Sequence, residues 1–140
     1  MYNAEKTIIG TWGELWINSE LISECTGLQA KATFQKVDIP MCGRLSKAFK
    51  VSGWEGKGTV TLNKVNSRMA KLIGDNLRQG KQVVCTIISK LADPTSDGVE
   101  RVCLKGVKFD DLTLADWSAN KALVESLPFT FEDFEYIDMI

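Results

Sequence analysis

The sequence predicts a mainly β fold in which a sheet closes on itself or packs on a second sheet, with one helix lying over it. Three observations carry this expectation. Leu28–Lys36 alternates apolar and polar residues, the pattern of a strand with one face buried. Gln82–Leu91 and Val99–Phe109 flank Asp93-Pro94-Thr95-Ser96-Asp97-Gly98, a strong turn sequence, and so predict a hairpin. Only Lys64–Gly80 carries apolar residues at helical spacing, namely Met69, Leu72, Ile73 and Leu77. One such helix cannot cover about seven or eight strands, so the sheet must close or find a second layer.

Taken in order, Met1–Lys6 reads as an N-terminal arm, loose or docked on the fold. Thr7–Asn18 reads as a strand, with Trp12, Glu14 and Trp16 alternating against Gly13, Leu15 and Ile17. Asn18-Ser19 suits a hairpin turn, Leu21–Cys25 returns, and Gly27 marks a bend or bulge. In Leu28–Lys36, Leu28, Ala30, Ala32 and Phe34 share one face and Gln29, Lys31, Thr33 and Gln35 the other. Val37–Lys50 then loses all clean period. It contains Pro40 and Gly43 yet keeps Val37, Ile39, Met41, Leu45 and Phe49, which water would solvate poorly. A long aperiodic segment rich in apolar residues reads as an arm that docks on another subunit. The alternative is a β-hairpin flap folded on its own domain.

Val51–Val65 opens with glycines and ends as a strand, Val60 and Leu62 against Thr59, Thr61 and Asn63. The helix follows over about residues 66–79. Asn66 or Ser67 can cap its start, and Gly80 suits the left-handed turn that ends it. Gln82–Leu91 is apolar on both faces and reads as a central strand. Asp110–Trp117 is short and irregular, and Ser118–Glu135 reads as a long final strand before an apolar tail at Tyr136–Ile140. Nothing in the chain repeats, and 140 residues fit a single domain spanning 1–140.

Composition narrows the function. Seventeen basic residues nearly balance eighteen acidic ones, which argues against a dedicated nucleic-acid surface and allows self-association. There is no histidine. That removes the commonest general base, the Ser-His and Cys-His pairs and most metal sites. Asp110-Asp111 and Glu132-Asp133 are adjacent acids that point apart, so they read as solvated charge. Gly53, Gly56 and Gly58 lack phosphate-loop spacing and precede a strand, so they read as a bend. Trp12, Trp16, Trp54 and Trp117 are not interleaved with basic residues, and core or interface packing fits them better than base stacking. Cys25, Cys42, Cys85 and Cys103 form no metal-binding spacing and read as reduced, mostly packed thiols. The expectation is therefore no enzyme, no cofactor, no metal and no membrane anchor. The opening residues do not read as a signal peptide, which predicts a chain that stays in the cytoplasm unless it leaves in a larger particle.

Four stretches together resemble the tail tube proteins of contractile-tailed phages, in particular the PBSX-like tail tube family and the tube subunits of phage-tail-like bacteriocins. They are GTWGELWINSE at Gly10–Glu20, GKGTVTLNKVNSRMAKLI at Gly56–Ile73, ERVCLKGVKFDDLTLADW at Glu100–Trp117 and LPFTFEDFEYID at Leu127–Asp138. The resemblance implies a β-sandwich or half-open β-barrel with one flanking α-helix. It implies hexameric rings whose inner sheets join, stacked into the rigid inner tube of a contractile phage tail or phage-tail-like particle, which sheath contraction drives through the target cell envelope. The implied partners are further copies of the chain, a sheath protein, a baseplate or tube initiator, a tape-measure protein in the lumen, and DNA in transit in a phage. The implied location is assembly in the bacterial cytoplasm, then a virion tail or phage-tail-like particle after release.

Placed on this picture, Val37, Asp38, Ile39, Pro40, Met41, Cys42, Leu45 and Phe49 become the inter-ring contact. Gln29, Lys31, Thr33, Gln35, Thr59 and Thr61 become lumen-facing, while Leu28, Ala30, Ala32 and Phe34 turn to the core under the helix. Arg68, Lys71, Asp75 and Arg78 become the helix face turned to the sheath. A monomeric β-barrel binding module, for a small ligand or single-stranded nucleic acid, is the competing expectation.

Overall fold

The computed structural model describes residues 1–140. Eight strands form one antiparallel sheet: β1 (Gly13–Ile17), β2 (Glu20–Leu21), β3 (Cys25–Ile39), β4 (Ala48–Asn63), β5 (Cys85–Leu91), β6 (Glu100–Phe109), β7 (Val124–Phe131) and β8 (Asp133–Asp138). Their order is β2-β1-β5-β6-β7-β4-β3, with β8 also on β6, and the sheet does not close. The half-open arrangement leaves the outer edge of β3 unpaired.

Strand β6 holds the two halves together. Its first part lies between β5 and β8, while Lys108 and Phe109 pair with β7. The chain turns the corner at Gly106, whose φ is +68°. A side chain there would meet both that strained backbone and Glu132, whose Cβ lies 3.0 Å from where a Cβ would sit. Strands β7 and β8 are a single run broken only at Glu132, whose N–H donates to the Lys105 carbonyl. The expected long final strand is therefore two strands in different halves of the sheet. It starts only at Val124, after Asn120 adopts a left-handed φ of +62°.

The core fills the space between the halves. Val60, Ile87, Val107, Leu127 and Phe129 are fully buried, with Leu15, Ile17, Leu62 and Leu104 around them. The ladder brings Val60 opposite Leu127 and Gly58 opposite Phe129, so period-two alternation delivers one face of β4 and β7 to the core. Gly56 and Gly58 are not a bend. They sit within β4, where the rings of Phe131 and Phe129 lie against their Cα atoms. Cys85 and Cys103 are buried and Cys25 half-buried, all as free thiols, while Cys42 is exposed. Burial pushes the Cys25 and Cys85 thiols up from their ordinary range. The tryptophans are not core residues: Trp12, Trp54 and Trp117 are exposed and Trp16 is half-buried.

The helical run covers 68–78 and contains a five-residue π turn, Ala70–Gly74, ahead of α1 (Asp75–Arg78). The Asn66 side chain accepts from the Arg68 N–H at 3.0 Å and caps the start. At the other end Gly80 takes a φ of +73°, its N–H donates to Leu77, and the Lys81 N–H donates to Asn76, a Schellman closure. Met69 and Ile73 join the core, but Leu77 is exposed. Spacing counted for a uniform α-helix does not hold through a π turn.

The first strand is shorter than its sequence suggests because the chain before Gly13 turns at Ala4–Lys6 and Gly10–Trp12. Asp93 ties this arm down. Its carboxylate accepts from the Ile9 N–H at 3.0 Å and from both the N–H and hydroxyl of Thr95. These donors, the Thr95 N–H foremost and then the Ile9 N–H, hold the Asp93 carboxyl below its usual range. A lowered folded-state pKa stabilises the fold above the unfolded value, near pH 4, and that contribution is lost as pH falls through the lowered one. The wild type is therefore expected to exceed Asp93→Asn in thermal midpoint at pH 6, with the gap closing below about pH 4. A gap constant from pH 6 to pH 3 would show that the charged latch does not contribute.

Candidate assembly interface

The segment expected as an aperiodic loop at 37–50 is strand at both ends, 37–39 and 48–50, and closes a hairpin. Strands β3 and β4 continue their ladder to Val37–Lys50, Asp38–Phe49 and Ile39–Ala48, and only 40–47 is turn. The register shifts between Gln35 and Lys36, where Ser52 is the extra residue of a β-bulge and its hydroxyl donates to the Gln35 carbonyl at 3.2 Å. The missing period of 37–50 comes from the turn at 40–47 and from Val37 and Ile39 sharing the face of Gln35 while Asp38 shares that of Phe34. The bulge acts just beyond that segment: it moves Val51 and Phe49 onto the face already occupied by Phe34 and Trp54, which a strict alternation would not allow. The hairpin is not a flap lying on its own domain: Phe34, Val37, Met41, Leu45, Phe49 and Val51 are all exposed.

The pairing sorts the hairpin into two faces. Residues directly opposite in an antiparallel ladder share a face. Gln29 is opposite Thr59, Lys31 opposite Lys57, Thr33 opposite Glu55, and Gln35 opposite Gly53, while Thr61 pairs with Gly27. The six residues expected to line the lumen thus lie together on one polar face. Strand β7 extends that face with Ser126, Pro128 and Thr130, and β6 adds Lys108.

The other face is apolar. Leu28 opposite Val60 begins it in the core, and Phe34 opposite Trp54 carries it outwards. Beyond the core it is open, so Ala30, Ala32 and Phe34 do not lie beneath the helix. Ala30 and Ala32 instead line a cleft of about 300 Å³ with Val102, Phe131, Phe134 and Tyr136. Trp54 stacks edge-on against Phe134 at 5.5 Å, and Phe134 against Tyr136 at 6.3 Å. This aromatic row was missed by sequence reasoning, although its members are the aromatic residues of two alternating strands.

The residues expected to make the inter-ring contact do not form one surface. Asp38 and Phe49 lie on the apolar face and Val37 and Ile39 on the polar face, while Pro40, Met41, Cys42 and Leu45 occupy the tip. Leu45 is fully exposed at the apex, where the Arg44 guanidinium donates to Ser46. On the helix, Lys71, Asp75 and Arg78 are exposed. Arg68 differs: it donates to the Leu21 carbonyl at 2.9 Å and approaches Glu24 at 3.5 Å and Glu20 at 3.8 Å, fastening the helix to β2.

Glu125 is a further residue that sequence reasoning passed over. It sits opposite Leu62 on the core face, its side chain only 6% exposed, and pairs with Lys64 at 2.6 Å while Oε2 has no partner. Removing the lysine would leave a buried, unpaired charge. Lys64→Met is expected to cost about 2–4 kcal/mol in urea unfolding and Glu125→Gln clearly less, because the latter removes the charge itself. Equal losses would contradict this.

Similarity to known proteins places these surfaces in a family. The sequence model of the phage tail tube protein family matches residues 1–138. The chain belongs to that family. It is a structural tube subunit. It is 34% identical over 134 residues to the phage-like element PBSX protein XkdM of Bacillus subtilis (strain 168), covering 94% of this chain and 91% of that one. A solved Bacillus subtilis protein is 32% identical and superposes with a TM-score of 0.55 over 98% of this chain and all of that one. The tube subunit also shares its fold with a chain of the PVC extracellular contractile injection system sheath-tube complex. There the TM-score is 0.74 at 10% identity, over 97% of this chain and 95% of the other. No helix of the subunit is long and apolar enough to cross a membrane.

Proposed function

We propose that the subunit forms hexameric rings that stack into the rigid inner tube of a contractile phage tail or phage-tail-like particle. The observation that carries this reading is the β3–β4 hairpin, polar on one face, apolar on the other, and projecting from the core with an unpaired edge. Exposed edges invite pairing with another chain, and a ring uses each one and then closes. The polar face of β3, β4 and β7 turns to the lumen. The hairpin tip and the aromatic row reach the next ring, and this head-to-tail contact leaves the stack open-ended. Lys71, Asp75 and Arg78 face outwards to a sheath protein, while Arg68 orients the helix that carries them. A baseplate initiates the tube, a tape-measure protein occupies the lumen during assembly, and contraction drives the tube through the target envelope. The small-ligand barrel is the weaker reading, since Leu127, Phe129 and Val60 fill the interior.

The test is negative-stain electron microscopy of the purified protein across a concentration series, with and without baseplates as seeds. Hollow tubes of uniform width are the expected result. A monomer at every concentration, even in the presence of baseplates, would overturn the reading.

A further inference from the structure

A pocket of about 160 Å³ lies at the far end of β4 from the hairpin tip, lined by Lys64, Leu114, Asp116, Trp117, Val124 and Glu125 among others. Leu114 and Trp117 are 87% and 77% exposed, side chains that water solvates poorly. The irregular segment that carries them is anchored at both ends. The Asp110 N–H donates to the Pro128 carbonyl and the Lys64 N–H to the Leu123 carbonyl, each at 2.9 Å, while Leu112 packs against the core. Residues 110–120 supply Asp110, Asp111 and Asp116 and no base. Within the pocket Glu125 is nine-tenths buried, and its Oε2 has no donor. The hairpin turn at 40–47 has the opposite chemistry: Arg44 and Lys47 with no acid, beside exposed Met41 and Leu45. Arg44, Lys47, Asp110, Asp111 and Asp116 all lack an ion-pair partner within the subunit.

We propose that this pocket is the socket for the hairpin tip of a second copy of the chain, with Leu45 seated against Leu114 and Trp117 and the Arg44 guanidinium on the Asp116 carboxylate. The inference rests on the reading that the tip reaches the next ring, and it names the surface that receives it. Tip and socket stand at opposite ends of the 16-residue β4, roughly 50 Å apart along an extended strand, so no subunit can fill its own socket. Each copy offers one tip and one socket, which joins copies head to tail without closing. Leucine against tryptophan takes apolar surface out of water and supplies most of the strength. The exposed ion pair adds little strength but rejects wrong registers.

The test uses Leu114→Cys, which puts a thiol in the socket of a chain whose Cys42 is already exposed at the tip. Tubes grown from baseplates and treated with oxidised glutathione are expected to give a ladder of covalent oligomers on a non-reducing gel. Leu114→Cys/Cys42→Ser should give none. Charge reversal is the second readout. Arg44→Glu and Asp116→Arg should each raise the critical concentration for assembly at least about fivefold, and the two together should restore it to within about twofold of wild type. Both positions are exposed, so the monomer's thermal midpoint should not move. Tubes that form without cross-linking, or a double variant no better than the single ones, would overturn the inference and leave the tube reading intact. So would a ladder that persists without Cys42, or a socket thiol that stays reactive in bare tubes and is shielded only when sheath protein is added. No tubes from the wild type, even on baseplates, would overturn the tube reading and the inference with it.

Discussion

Replacing Pro40–Lys47 with Asn-Gly is expected to leave a folded subunit that forms no tubes. A two-residue turn of this type closes a hairpin at the existing Ile39–Ala48 pair without disturbing the ladder behind it. The excised residues include none of the buried core. The side-chain bonds lost are those of Arg44 to Ser46 and to Met41. Thermal unfolding should therefore move by only a few degrees, on the order of a surface change. Assembly should fail because the tip supplies the exposed Met41 and Leu45 that the proposed stacking contact buries. A milder variant, Phe49→Ser, keeps the tip and weakens the apolar face, raising the critical concentration for assembly by about tenfold or more, equivalent to about 1.4 kcal/mol per subunit. Tubes of normal length from the shortened hairpin would remove the tip from the stacking contact.

Gly58→Ala is expected to be the most damaging single substitution in the sheet. A Cβ there would lie 2.4 Å from both the Gln29 carbonyl oxygen and the Phe129 ring. The carbonyl belongs to the paired ladder and the ring is fully buried, so neither can give way cheaply. The expected loss is about 3 kcal/mol or more, a large part of the roughly 5–15 kcal/mol that holds a domain folded. Gly53→Ala is the control. Its nearest neighbour would be the Gln35 side-chain oxygen at 3.5 Å, ordinary contact, and the change should stay within about 0.5 kcal/mol. Chemical denaturation of the two variants side by side checks both statements. Similar midpoints would show that the Phe129 ring repacks.

What could be read beforehand was whatever is local. The alternation of Leu28–Gln35 placed Gln29, Lys31, Thr33 and Gln35 on one face because strand period and side-chain chemistry agree there. Asn66 and Gly80 were legible as helix ends because capping depends on neighbours a few residues away. The hairpin was not legible, since the turn at 40–47 carries apolar side chains and Val37 and Ile39 stand on the otherwise polar face, which together hide the strand period. Phe34 was assigned to the core on pattern alone, but burial depends on how far the opposing half of the sheet extends, and it ends short of Phe34. Glu125 was invisible because its burial follows from standing opposite Leu62, a pairing between distant segments. Arg68 read as one of four outward charges, and only the placement of β2 reveals the acids and carbonyl that hold it.

The passage of β7 into β8 at Glu132 has a mechanical consequence. One uninterrupted backbone run crosses from the half of the sheet bearing the polar face to the half packed behind it. Load applied along one wall is therefore transmitted to the other through covalent bonds and the Gly106 corner, without relying on side-chain contacts that could slip. Two walls joined in this way resist shear past each other, and a cylinder built from such units stiffens like a laminated beam rather than like two nested sleeves.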